Sequence, residues 1–264
     1  MKLRNILALA LFATAFTACE TVDEDERFIG PVEFTPKKNV LIEDFTGQKC
    51  INCPNATNVI HSLQHTYGKD HIIAVALHGG PMSMPATTPV GLATPESEEY
   101  NTKWNVDSWP KGMINRKGGL FEFTSWSAEV VKELQKEAGA VLSMEGNTYN
   151  PEDGTLTVQV DVTGKQATKA TLQVWLTESD IVKMQFMPDG KPNRDYVHNH
   201  VFRTSVNGTW GEELDLVKEE KVSKQYTYKI EPSNKWKPEN MSVVAFVSNA
   251  DGVMQVIEAP VIQK

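Results

Sequence analysis

VLIEDFTGQKCINCPNATNVIHSLQHTYG, residues 40–68, decides how the rest of the chain is read. Val40 to Phe45 is a short apolar run ended by Gly47, as a buried strand is. Ala56, Val59, Ile60, Leu63 and Tyr67 recur at spacings of three and four, which lines them along one face of a helix that Gly68 stops. Cys50-Ile51-Asn52-Cys53 stands between strand and helix. The unpaired backbone N–H groups and dipole at a helix start favour a thiolate at Cys50, and Cys53, one turn on, can reach back to close or resolve a disulfide. His71 to Leu77 (HIIAVAL) is a second buried strand, and a strand–helix–strand run of this length predicts parallel pairing.

Residues 79–95 carry four prolines and three glycines and predict a long loop, of the kind that is usually functional or disordered. Thr94 as cap, Pro95 at the first helical position and Glu96 and Glu98 in the first turn start a short helix bearing Tyr100 and Trp104. A strand is expected from Gly112 to Asn115, after Trp109-Pro110. A last helix begins near Thr124 or Ser125, shows Trp126, Val130, Leu134 and Ala138 on one stripe, and stops at Gly139. Past residue 140 the period becomes two: Leu156, Val158, Val160 and Val162 alternate with polar residues, as do Leu172, Val174 and Leu176. Asp251-Gly252 between two apolar runs signals a hairpin. The second half is expected to be all-β, most simply a sandwich.

The whole has 264 residues, with 34 acidic and 26 basic side chains for a formal charge of −8, which argues against a nucleic-acid partner. MKLRNILALALFATAFTA, residues 1–18, has a positive start and an apolar run much shorter than the roughly 20 residues that cross a bilayer, so it reads as a secretion signal. Glu20 to Arg27 (ETVDEDER) cannot bury apolar area, and residues 19–31 are expected to be a tether. Cys50 and Cys53 form the one Cys-x-x-Cys in the chain, so a four-cysteine zinc site cannot be built from it.

These segments carry resemblances. Phe16-Thr17-Ala18-Cys19 resembles the lipobox of bacterial lipoproteins, which implies acylation at Cys19 and a lipid anchor; the alternative is plain secretion with a chance cysteine. Asp23 to Glu26 resembles the acidic tract that routes Bacteroidetes lipoproteins to the cell surface, or is only a spacer. VLIEDF, CINC opening the helix, HIIAVAL and Trp109-Pro110 are similar to a thioredoxin-fold domain over residues 32–138. That resemblance implies a cis-proline at Pro110 shaping a substrate groove, and at Asp44 a buried acid assisting proton transfer at Cys53. The chain differs in Lys49 before the first cysteine and in Ile51-Asn52 between the pair, positions that tune the redox potential. The lipobox, FTGQKCINCPN and a β-rich second half with HNHVFR at 198–203 together resemble the Bacteroidetes outer-membrane lipoproteins, which implies an outer-membrane location.

The expectation is therefore a signal peptide (1–18), a tether (19–31), an α/β thioredoxin-like domain (32–139) and an all-β, immunoglobulin-like sandwich (140–264). Its function would be thiol–disulfide exchange on envelope proteins that carry thiols or disulfides. Cys50 attacks, Cys53 resolves, Asp44 moves the proton and Pro110 shapes the groove, with no cofactor beyond the redox-active disulfide. A different class stays open, a non-catalytic surface binding or adhesion module with a structural disulfide. The two differ at Cys50: exchange needs its sulfur accessible beside an open groove, whereas a loop packed over it favours binding. For Asp44 the bland alternative is a carboxylate at a strand edge facing water. His61 and His65, four apart, read as exposed helix residues more readily than as metal ligands, and His198 and His200 as hydrogen-bonded surface residues more readily than as a metal or partner contact.

Overall fold

The computed structural model describes residues 35–262; the leader, Cys19 and the acidic tether lie outside the described residues. β1 (Val40–Thr46) is buried along its whole length because both of its faces are covered. Val40 and Ile42 pack with Ala56, Ile60 and Leu63 of α1 (Cys53–Tyr67), while Leu41 and Phe45 belong to a separate cluster. Gly68, at φ +91°, ends α1 in a backbone conformation that a side chain would strain, and its N–H caps the Gln64 carbonyl. β2 (Ile72–His78) then runs parallel to β1, Asp44 opposite Ala76 and Thr46 opposite His78.

The expected loop follows, and α2 (Pro95–Lys103) starts at Thr94 with a capping box closed by Ser97. Trp109–Pro110 is a cis peptide. β3 (Lys111–Ile114) pairs antiparallel to β1, with Lys111 opposite Phe45, which brings Pro110 to the end of β1 from which the cysteine loop departs. β4 (Lys117–Glu122) forms the sheet edge beside β3, and α3 (Trp126–Leu134) buries Trp126, Val130 and Leu134 against the α1 face. It stops short of the expected Gly139.

From here, apart from single 3-10 turns at Pro232–Asn234 and Pro238–Asn240, the regular structure is strand: β5 (Ala140–Ser143), β6 (Thr148–Asn150), β7 (Thr155–Gly164), β8 (Thr168–Glu178), β9 (Ile181–Phe186), β10 (Pro192–His198), β11 (Val201–Ser205), β12 (Glu212–Leu216), β13 (Lys221–Lys229), β14 (Met241–Asn249) and β15 (Gly252–Pro260). The period-two residues of β7 and β8 meet in one core with Val243, Ala245 and Val247 of β14, so two sheets face each other over it as the alternation predicts. One is built of β5, β6, β7 and β13.

The other is continuous with the α/β half. Its order is β15-β14-β8-β11-β2-β1-β3-β4, with β12 also on β8. β11 lies parallel to β2 through Val201 and Ala76, and the Ala76 N–H donates to the His200 carbonyl at 2.8 Å. The boundary expected at 139/140 marks where the helices end, and it does not separate two bodies; residues from Pro36 onward fall in one compact unit. The physical reason is that the free edge of β2 finds a partner, and the apolar face of β1 and β2 packs with Trp175, Phe202 and Phe246 from the second half. β9 and β10 pair only with each other among the described residues.

Candidate functional site

Cys50 and Cys53 are joined as a disulfide with Cα atoms 5.5 Å apart. Close approach builds the loop that holds them: Gly47 has no room for a side chain against the Met82 carbonyl, the Lys49 N–H donates to that carbonyl at 2.8 Å, and the Cys50 N–H donates to the Gly47 carbonyl. Cys53 is the first residue of α1, so it is Cys53, and not Cys50, that occupies the helix start.

Cys50 is 4 % exposed and Cys53 2 %. An accessible Cys50 sulfur is therefore not what this conformation offers. The cover is the β9–β10 hairpin, from the second half of the chain. Gln185 Nε2 donates to the carbonyls of Cys50 (2.9 Å) and Gly47 (3.3 Å), and the Phe186 N–H donates to the Gln48 carbonyl (2.8 Å). The long loop joins in: Gln48 Nε2 donates to the Val90 carbonyl, and Lys183 Nζ to that of Gly91 at 2.8 Å. Nothing in the local pattern of residues 181–198 marks them as a cover, since Gln185 is an ordinary polar residue until its partners are known.

Behind Cys53 lies a narrow cavity of ≈ 30 Å³ lined by Asp44, Cys53, His78, Gln185, Tyr196, His198 and His200 among others. Asp44 is 2 % exposed, and the bland reading of an edge carboxylate in water does not apply. Its Oδ1 has no hydrogen-bond partner, and burial alone raises its carboxyl to about 8. Glu43, which points to the opposite face, is buried as well. The guanidinium of Arg116 holds it with bonds of 2.8 and 2.9 Å, and Arg116 in turn donates to Gln173 of β8.

His198 is not a surface residue, and His200 is half-buried. His198 is buried with its ring edge-on to that of His78 at 5.4 Å, and burial lowers both, His198 to about 4. His200 is likewise lowered to about 4 by burial. The burial of His198 is a tertiary event, since it follows from the docking of β10 beside the His78 end of β2. His61 and His65 are exposed on α1 as expected. No group of three or more histidine, cysteine or acidic side chains among the described residues is arranged to hold a metal ion. His78 escaped sequence reasoning, although its place at the carboxyl end of a parallel strand is where such folds gather functional groups.

The likenesses to known proteins follow this division. HBP35 of Porphyromonas gingivalis superposes over 85 % of this chain and 76 % of its own with a TM-score of 0.66 at 16 % identity, so the likeness is one of fold. A domain of the outer membrane lipoprotein Omp28 from the same organism is 28 % identical over 47 % of this chain and 88 % of that domain, with a TM-score of 0.32. No protein with a curated description matches. The family model for outer membrane protein Omp28 matches residues 97–264, a stretch that holds the covering hairpin, the HNH residues and every strand from β3 onward. The chain belongs to the Omp28 family of outer membrane proteins.

Proposed function

We propose that this outer-membrane protein carries out thiol–disulfide exchange on envelope proteins, from a thioredoxin-like portion whose sheet runs on into an immunoglobulin-like sandwich, and that it is held to the membrane by a lipid on Cys19. The observation that carries the reading is Asp44. An unpaired acid buried in the same cavity as Cys53 costs stability that a purely structural disulfide has no need to spend, and its value of about 8 lies close to that of a cysteine thiol, about 8.5. Burial thus brings Asp44 out of the ordinary carboxyl range and up toward that of a thiol, which narrows the gap a proton must cross between them.

In the oxidising direction the Cys50 thiolate attacks a substrate disulfide, forming a mixed disulfide and expelling one substrate thiolate. The Cys53 thiol passes its proton to the Asp44 carboxylate, and the Cys53 thiolate attacks the Cys50 sulfur. The Cys50–Cys53 bond forms, the second substrate thiolate leaves, and the substrate has gained the two electrons the pair has lost. Pro110 would border the groove that receives the substrate. Exchange at Cys50 requires the end of the β9–β10 hairpin that carries Gln185 to move aside first, while the end that carries Ile181 and His198 stays packed.

That cover also favours the second reading, a surface binding module with a structural disulfide. One experiment separates them. Cys53→Ser, expressed in its native envelope, is expected to accumulate mixed disulfides through Cys50, because the resolving thiol is gone, while Cys50→Ser accumulates none. If neither variant captures a partner, and the purified parent supplied with a reductant leaves a model protein disulfide intact, the binding reading replaces exchange.

A further inference from the structure

Four buried polar atoms without a partner among the described residues belong to residues of one cavity: Asp44 Oδ1, His78 Nδ1, His198 Nε2 and His200 Nδ1. They come from β1, β2, β10 and the turn before β11, so no single element explains them. Unpaired buried polar groups are rare because each one costs its desolvation, and where several converge the usual resolution is water. The space fits: ≈ 30 Å³ has room for about two waters. His200 also sits at φ 54°, a left-handed conformation that disfavours a side chain, and is fixed there by its N–H donating to Ser179 Oγ at 3.0 Å and its carbonyl accepting from Ala76.

A surface groove lies next to this cavity: His61, Asn199 and His200 line both it and an open groove beside α1, so these residues are the wall between the chamber and solvent on the Cys53 side.

We propose that this chamber is a hydrated proton channel, in which His78, His198 and His200 hold the waters that carry a proton between Asp44 and the groove beside α1. The proposal rests on the exchange reading, whose proton it follows. When Asp44 has taken the proton of Cys53, the ordered waters relay it outward past His200, and Asp44 returns to the carboxylate for the next turnover; reduction of the pair runs the relay inward. The histidines stay neutral, so the unpartnered ring nitrogen of each holds a water as donor or as acceptor according to its tautomer, and the proton passes along the waters themselves.

The test uses full-length protein in detergent. Reduction of Cys50–Cys53 by dithiothreitol is followed by alkylation of the freed thiols, in the concentration range where the rate remains proportional to reductant, so that opening of the hairpin is not limiting. His78→Leu with His200→Leu should slow reduction about tenfold, a modest share of what positioned proton transfer contributes, and His78→Asn with His200→Asn, which keep polar partners for water, should stay within about threefold of the parent. A high-resolution crystal structure of the parent should show ordered water against Asp44 and the histidines; a dry chamber overturns the proposal even if the leucine pair fails to fold. Equal slowing by both pairs, or none in a parent that exchanges, overturns the channel and leaves the exchange reading standing. A parent that neither accepts electrons from dithiothreitol nor reduces a model disulfide removes the exchange reading, and the channel with it.

Discussion

Glu43 and Asp44 are adjacent acids on a strand covered on both faces, and the alternation of the strand sends them to opposite fates. Glu43 is buried and answered by Arg116. Asp44 is buried and unanswered, which at neutral pH costs roughly 4 kcal/mol, a sizeable part of the net stability of a domain. Its sign follows from the protons: the unfolded chain releases this one near 3.8 and the folded chain only near 8, so stability falls as pH rises through that window. His78, His198 and His200, lowered by burial, act oppositely, since the unfolded chain binds their protons first and stability is lost as pH falls below 6.5. Asp44→Asn is therefore expected to stabilise the protein against urea more at pH 8 than at pH 5, by on the order of 3 kcal/mol, while slowing exchange. Equal gains at both pH values would show that Asp44 ionises like an exposed acid. Asp44 is legible in the sequence because its place six residues before Cys50 lies on a strand leading into the pair. The partner of Glu43 is not, since Arg116 is 73 residues away and nothing local joins them. HNH stands out as a motif, yet the burial of His198 depends on β2, more than a hundred residues upstream.

Among the elements, the first strand, its helix and the second strand are readable because apolar spacing and punctuation agree there. The β9–β10 hairpin is not. Its outer strand, Pro192–His198, starts with four exposed residues, Pro192 to Asp195, which read as loop, and what holds the hairpin over the cysteine loop is a set of contacts that no local pattern reveals. Those contacts with the cysteine loop are few and polar, each contributing about 1 kcal/mol, so the Gln185–Pro192 end of the hairpin can lift at modest cost while its other end, with Ile181 packed on Leu92 and Val201 and His198 against His78, stays in place. Gln185→Ala removes the bonds to the Cys50 and Gly47 carbonyls and is expected to speed reduction of the disulfide by about fivefold to tenfold, read by alkylation of the freed thiols, with the unfolding midpoint little changed. An unchanged rate would mean that another part of the cover controls access.

For the molecule as a whole, the change of period at residue 140 is visible in the sequence, but which sheet edge meets which is not, because that is decided by the edges left free once local pairing is complete. Without the second half, Leu41, Phe45, Ile73 and Val75 lose Trp175, Phe202, Val244 and Phe246. At about 2 kcal/mol for each uncovered side chain the loss is on the scale of the entire net stability of a domain. Calorimetry of the intact protein should accordingly give one cooperative transition, and a fragment ending at residue 139 should lack fixed tertiary structure by near-ultraviolet dichroism; a folded fragment would show the two halves to be independent. Cys19→Ala is expected to release the protein from membranes on fractionation, since the lipid would be lost and no helix among the described residues is long and apolar enough to cross a bilayer. The placement of the cover has one more consequence, and it concerns time. Gln185 lies 135 residues beyond Cys50, so a chain emerging from its amino end delivers both cysteines to the oxidising compartment well before the hairpin that will shelter them. On that order of arrival the disulfide can form before its shelter does, and the hairpin then closes over a bond already made.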